Sequence, residues 1–286
     1  MGAAFNVENL CFKYPSSKEN VIKGITFDVH EGEIFGLLGP SGAGKSTTQK
    51  ILIKLLENYT GSIKYFGKDL KTINNSFYEE IGVGFEMPVH FSKLTALENM
   101  KYFAGFYKKT ADIQELMERV GLWEYRDVKV AEFSKGMKVR LNFVRAMLNN
   151  PRVLFLDEVT NGLDPKNARI IKDMIAEYRA KGGTVFLTTH LMNDVEQLCD
   201  RVAFCVNGKL MEISTPRDLK IKYGKREVKV EYRDNGTISS ASFPLDGIGD
   251  NEEFLKLLKS GKVETIHSGE TSLEEIFIIV TGVELK

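Results

Sequence analysis

The chain has 286 residues, enough for about two domains and a packed core. Its 39 Lys and Arg balance its 39 Asp and Glu, so no bulk charge marks it for nucleic acid, and an apolar share of 43% argues against disorder. The three cysteines, Cys11, Cys199 and Cys205, have neither metal-ligand nor redox spacing and read as the reduced thiols of a cytosolic protein.

The first residues, Met1 to Asn6, turn polar too soon for a signal peptide, and Asn6 stands where a myristoylation signal needs Ser or Thr. No apolar run approaches the ~18–20 residues that span a bilayer, so any membrane spans must come from another chain. Residues 5–13 and 25–30 alternate apolar and polar as half-buried strands do, with a turn at Tyr14-Pro15-Ser16-Ser17 between them. Tyr14 has two readings here, a ring that stacks on a nucleotide base or an ordinary half-buried turn tyrosine.

The next stretch is the most informative. An apolar run, Ile34 to Leu38, leads into Gly39-Pro40-Ser41-Gly42-Ala43-Gly44-Lys45-Ser46-Thr47, and a helical pattern follows over 48–57. Strand, glycine-rich loop and helix in this order form a phosphate-binding P-loop. Glycines let backbone N–H groups turn inward around phosphate oxygens, and the helix points its unsatisfied N–H groups and positive dipole end at the same anion. Lys45 is expected on the β- and γ-phosphates, and the Ser46 hydroxyl on Mg²⁺.

After a turn at Thr60-Gly61-Ser62 comes a strand over 63–66, and Ile81 to Phe85 reads as a buried strand ending at Glu86-Met87-Pro88. Glu86 is placed to face a ligand or to be a solvated loop carboxylate. Residues 94–150 change to helical spacing and read as a subdomain inserted into an α/β core; Ser134 is an N-cap that leaves its helix N-terminus free to meet an anion. Val153 to Leu156 is a wholly apolar run, as in a parallel strand covered on both faces, and it ends in Asp157-Glu158. Carboxylates at that end lie where open α/β sheets bind ligands. Asp157 is expected to hold Mg²⁺ and Glu158 to orient or deprotonate a water. Asp164 and Pro165 open another helix, and Thr184 to Thr189 forms a strand with His190 at its end. A further strand covers 202–206, a basic helix covers 217–223, and Gly224-Lys225-Arg226 reads as a boundary before a small α+β tail.

Taken together these motifs resemble the ATP-binding subunit of an ABC transporter over about residues 5–220. Gly39 to Thr47 resembles the Walker A motif of that family, Val153 to Glu158 its Walker B, and Phe133-Ser134-Lys135-Gly136-Met137 its signature motif. Asn161 to Pro165 is similar to the D-loop, His190 to the switch histidine and Tyr14 to the adenine-stacking aromatic. The resemblance implies an α/β fold: a P-loop NTPase core with an N-terminal antiparallel β-subdomain, an inserted α-helical subdomain over about 94–150 and a small C-terminal α+β domain. The domains are expected at 1–223 and 224–286. It also implies an ATPase that binds ATP and Mg²⁺, with Glu158 and His190 catalytic. Tyr14, the whole of Gly39 to Thr47, Ser134, Gly136 and Asp164 are expected on the nucleotide, and Ser46, Glu86 and Asp157 on the metal. The partners implied are a separately encoded transmembrane permease and a second nucleotide-binding subunit in a head-to-tail homodimer, with no nucleic acid. The place implied is the cytoplasmic face of the cell membrane.

Two positions depart from the family pattern. The signature begins Phe133-Ser134-Lys135-Gly136 where Leu-Ser-Gly-Gly is usual, and Glu86 stands where Gln is common. Glutamate keeps the metal oxygen, loses an N–H donor and adds a negative charge. The ending Ser272-Leu273-Glu274-Glu275-Ile276-Phe277 is similar to bacterial drug, antibiotic or sodium exporter subunits, which favours export over import. A soluble ABC protein acting on ribosomes or DNA is the alternative; a single P-loop and no long heptad insert speak against it. A non-hydrolysing binding module is opposed by Lys45, Asp157, Glu158 and His190 occurring together.

Overall fold

The computed structural model describes residues 2–87, 89–234, 236–269 and 271–284. Pro88, which marks the loop after Glu86 in the sequence, lies outside them. The chain divides into two compact units, Met1–Thr215 and Pro216–Val283.

The first unit begins with β1 (Ala3–Phe12), β2 (Ile22–His30) and β3 (Ile34–Leu38), then α1 (Lys45–Leu52), β4 (Tyr59–Tyr65), β5 (Lys68–Asp69), a one-turn α2 (Phe77–Glu80) and β6 (Ile81–Gly84). The helical stretch holds α3 (Ala96–Ala104), α4 (Ile113–Arg119) and α5 (Lys135–Met147). It is followed by β7 (Val153–Asp157), α6 (Pro165–Ala180), β8 (Thr184–Thr189), α7 (Met192–Leu198), β9 (Arg201–Val206) and β10 (Lys209–Ser214).

Two sheets form the core of this unit. One is antiparallel, in the order β2-β1-β4-β5. The other runs β10-β9-β3-β8-β7-β6, parallel except for β10. Every residue of β3, β7 and β8 is buried, as expected for parallel strands covered on both faces. A line of phenylalanines joins the sheets. Phe27 stacks on Phe35 at 5.5 Å, Phe35 lies 6.0 Å from Phe186, Phe186 5.7 Å from Phe155, and Phe155 5.7 Å from Phe5.

The strands are longer than their hydrophobic pattern suggests. The sequence reads Thr60-Gly61-Ser62 as a turn and starts the second strand at residue 25, yet Gly61 lies inside β4 and Gly24 inside β2. Both have positive φ, opposite a register shift around Asn9. A Cβ on Gly61 would sit 2.4 Å from the Asn9 carbonyl oxygen, so the glycines make bulges in continuous strands. The helix after the P-loop ends at Leu52, short of the expected residue 57, and Lys54 just beyond it has φ +59°.

Within 94–150, α3 starts with a capping box between Thr95 and Glu98, and Ser134 caps α5 by accepting from the Met137 N–H at 3.2 Å. The C-terminal half of α5 packs directly on β6. A Cβ on Gly82 would lie 1.9 Å from the Ala146 carbonyl oxygen, so this close approach requires glycine.

The second unit comprises α8 (Pro216–Tyr223), β11 (Glu227–Asp234), β12 (Thr237–Pro244), α9 (Glu252–Lys259), β13 (Val263–Gly269) and α10 (Leu273–Thr281). Its antiparallel sheet, in the order β12-β11-β13, buries Val228, Val230 and Phe243 against Phe254 and Leu257 of α9. The sequence places the divide after residue 223, whereas the contacts place it ahead of α8, which packs on α10.

Because Phe186 is fully buried among three other rings of the seam, Phe27, Phe35 and Phe155, Phe186→Ala is expected to cost about 3–5 kcal/mol. Urea unfolding followed by far-UV circular dichroism should show the midpoint of the first unit falling accordingly.

Candidate functional site

The register of the central sheet determines where the motifs meet. Leu38 pairs with Thr189, Asp157 with Thr188 and Gly84 with Leu156, so β3, β8, β7 and β6 end side by side. The segments that follow those ends are the P-loop, His190, Glu158 and Glu86. They converge on one cavity of about 500 Å³, lined by Ser41, Gly42, Gly44, Lys45, Ser46 and Thr47 of the loop, together with Val21, Glu86, Glu158 and His190.

The loop geometry follows from its glycines. Gly42 and Gly44 have φ of +78° and +105°, the left-handed region that side chains avoid. A Cβ on Gly39 would stand 2.1 Å from the Cys205 carbonyl oxygen. Ala43 is buried beneath the loop, where its carbonyl accepts from the Gly208 N–H at 3.0 Å and from the Cys205 thiol at 3.2 Å. Lys45 folds back and donates from Nζ to the carbonyls of Gly39 at 2.7 Å and Pro40 at 3.0 Å. Burial lowers the pKa of its ammonium, while the Glu158 and Asp157 carboxylates favour the charged form. A buried cation beside a ring of N–H groups and hydroxyls suits a polyanion, so the residues present fit a nucleotide phosphate chain.

Glu158 lies at a strained position, with φ +52°. Its backbone N–H donates to the Thr188 carbonyl at 3.0 Å. Its Oε1 accepts from His190 Nδ1 at 2.8 Å and its Oε2 from the Thr189 hydroxyl at 3.3 Å. Burial raises the pKa of the Glu158 carboxyl above the ordinary carboxylate range, and the His190 hydrogen bond opposes that shift. Asp157 sits one layer behind: it is buried, does not line the cavity and accepts from the Thr188 hydroxyl. The same hydroxyl is 3.3 Å from Gln49 Oε1 of α1. Glu86 is exposed on the cavity wall, and its charge favours the ammonium form of Lys45. The preceding Phe85 carbonyl accepts from Asn142 of α5 at 2.8 Å, which ties this wall to the signature helix.

Tyr14 packs edge-on against Phe12 at 4.9 Å and reaches the P-loop helix through its hydroxyl, 3.2 Å from Thr47 Oγ1. Ser134, Gly136 and Asp164 do not line the cavity. Ser134 and Asp164 are exposed N-caps of α5 and α6. Hydrogen bonds from Asn167 hold the Asp164 carboxyl below the ordinary aspartate range. The turn that carries Asp164 also meets the signature segment: a Cβ on Gly162 would lie 2.9 Å from Lys135 Nζ, and one on Gly136 3.6 Å from Leu163. Sequence patterns alone pass over Gln49, Thr188 and Cys205, because each sits inside an ordinary strand or helix, and over Val21, a bend residue just ahead of β2.

Among the described residues, no helix is long and apolar enough to cross a membrane. Residues 22–161 match the ABC transporter family model, and residues 226–270 match that of the fluoroquinolone efflux ABC transporter C-terminal domain. A fluoroquinolones export ATP-binding protein of Mycobacterium tuberculosis is 49% identical over 281 residues, covering 98% of this chain and 93% of its own. The bacitracin transport ATP-binding protein of Bacillus licheniformis is 32% identical over 305 residues, covering 99% and 98%. Among solved structures, an ATP-binding subunit of an ABC transporter gives a TM-score of 0.70 at 31% identity, covering 77% of this chain and 93% of the other.

The two parts of Tyr14 can be separated by substitution. Tyr14→Phe removes the Thr47 hydrogen bond and keeps the ring, so ATP affinity is expected to change by less than about threefold. Tyr14→Ala removes the ring as well and, if that ring stacks on the base, is expected to weaken ATP binding by about tenfold, measured by titration calorimetry.

Proposed function

The chain belongs to the ATP-binding subunits of ABC transporters and is an ATPase of that family; from this premise we propose that two copies close head-to-tail around two ATP molecules and drive export by a separate membrane-spanning subunit at the cytoplasmic face of the membrane. The observation that carries this reading is the contact of 2.8 Å between Glu158 and His190 on the wall of the P-loop cavity. It places a buried carboxylate and an imidazole beside the lysine expected on the γ-phosphate.

In this reading Lys45 and the N–H groups of residues 41–47 hold the phosphates, and Tyr14 covers the base. Ser46 and Glu86, which line the cavity, with Asp157 one layer behind them, are the oxygen donors that would hold Mg²⁺, whose contribution when bound would be to neutralise charge on the phosphates. Glu158 accepts a proton from the attacking water, and His190 holds the Glu158 carboxylate in place and faces the γ-phosphate. Ser134 and Gly136, at an exposed helix N-terminus outside the cavity, would meet the ATP held by the second copy. The 49% identity with a fluoroquinolones export protein supports a drug of that kind as cargo, with the membrane subunit selecting it. The match of residues 226–270 to the corresponding efflux C-terminal domain supports an accessory domain in the same transporter class.

A groove on the first unit supports the membrane partner. It is lined by Ile53, Leu55, Phe85, Phe103, Tyr107 and Arg145, among others, with a volume of about 330 Å³. Leu55 is 55% exposed, and Phe106, next to Tyr107 in the chain, is 64% exposed. A short amphipathic segment of the membrane chain would cover this surface and feel movement of the Glu86 wall through Phe85. Leu55→Arg is expected to reduce co-purification with the membrane chain by about tenfold or more while ATP binding stays in place, read from detergent-solubilised membranes.

Glu158→Gln is expected to keep ATP binding and lower turnover by at least about a hundredfold, because the amide cannot take a proton. Undiminished hydrolysis would remove Glu158 from the base role. The pH dependence has a definite sign. The working form is the carboxylate and burial raises its pKa, so wild-type kcat/KM should fall on acidification at a pH above the ordinary glutamate value of about 4.3. A profile whose acid limb lies at or below that value would contradict this assignment.

A further inference from the structure

A second pair of contacts joins the two segments that carry Glu158 and His190. Thr160, two residues past Glu158, donates its hydroxyl to Asp194 Oδ2. Asp194 lies in the first turn of α7, four residues past His190. Its other oxygen accepts from Lys172 Nζ of α6 at 2.6 Å, and that ammonium also donates to Gln197 Oε1 of α7 at 3.0 Å. The Asp194 and Lys172 side chains are only 6% and 11% exposed, and Thr160 is buried. Both carboxylate oxygens of Asp194 are therefore occupied in a site with little water to replace either partner.

We infer that Asp194, neutralised by Lys172, is a positioning residue that ties the Thr160 turn to α7 and so keeps Glu158 in reach of His190. The inference rests on the assignment of Glu158 as base. The backbone geometry shows why a tie is needed. Glu158 has φ +52°, a conformation a non-glycine residue keeps only where its surroundings over-determine it. The anchors on the strand side are its N–H on the Thr188 carbonyl and the Asn161 N–H on its own carbonyl. On the far side, the Leu163 N–H bonds to the Thr160 carbonyl, and the Thr160 hydroxyl is the side-chain contact that reaches α7. Removing it frees the turn to relax Glu158 toward an ordinary backbone angle, which would draw its carboxylate away from His190. The turn also carries Asp164, so the tie fixes the start of α6 as well.

A buried ion pair is a poor element to cut, because removing one partner strands the other charge. The informative substitution is Thr160→Val, which keeps the shape and leaves Asp194 paired with Lys172. In the purified full-length chain, kcat for ATP is expected to fall about tenfold while KM stays within about twofold, and Thr160→Ser is expected to recover most of the loss, since misplacement of a catalytic group acts on the chemical step. Equal losses in kcat and affinity, no loss at all, or a loss that serine does not repair would overturn the inference. Glu158→Gln in the same assay separates the two claims. If that variant still turns over, the base assignment fails; if it is inactive while Thr160→Val is unimpaired, only the tie fails.

Discussion

The site depends on one constraint, the parallel register of four strands, three of them wholly buried. Leu38, Thr189, Asp157 and Gly84 reach the same edge of the sheet together, and each strand then releases one functional segment. A slip of one residue in any strand would turn its side chains to the opposite face. The register is protected by burial on both faces and by the phenylalanine seam that joins the antiparallel sheet to the central one. The hydrophobic core and the geometry of the candidate site are thus the same piece of construction.

Electrostatics then distinguish the roles of groups that look alike in sequence. Asp157 and Glu158 are adjacent, yet one is held by the Thr188 hydroxyl behind the cavity and the other faces it beside His190. The turn from strand to left-handed backbone at Glu158 separates them. Lys45 resides in a buried setting that lowers its pKa, with two loop carbonyls as hydrogen-bond partners. An arriving phosphate chain would give that cation a stronger, charged partner than the two carbonyls. The usual glutamine is replaced by Glu86 on the exposed wall, where its negative charge adds to that of Glu158. A nucleotide phosphate chain entering this cavity would therefore meet more negative charge than it would beside a neutral side chain.

Much of this was legible in the sequence, for identifiable reasons. The glycine-rich loop, the apolar strand ending in two acids and the histidine at a strand end have short-range patterns, and the structure brings Lys45, Glu158, His190 and Glu86 to one cavity. Strand limits were less legible, because Gly61 reads as a turn and Gly24 falls ahead of the apparent start of its strand, although both form bulges inside β4 and β2. The contacts of Thr188, Gln49 and Cys205 were not legible, since they arise between elements far apart in the chain. The same holds for the tie among Thr160, Lys172 and Asp194, which joins three elements by side chains that carry no motif. Ser134 and Gly136 have the opposite character: their motif is plain, and their place outside the cavity acquires meaning only from a second copy.

The proposed pairing with that second copy is tested by the mass of the chain in solution with MgATP. Sedimentation equilibrium should be run in the Glu158→Gln background, where bound ATP persists, with and without Ser134→Glu at the exposed helix N-terminus. Twice the monomer mass is expected for Glu158→Gln with MgATP, and the monomer mass once Ser134→Glu sets a negative charge against the partner's γ-phosphate. A monomer in both cases, or an ATP-bound dimer indifferent to Ser134→Glu, would contradict that pairing.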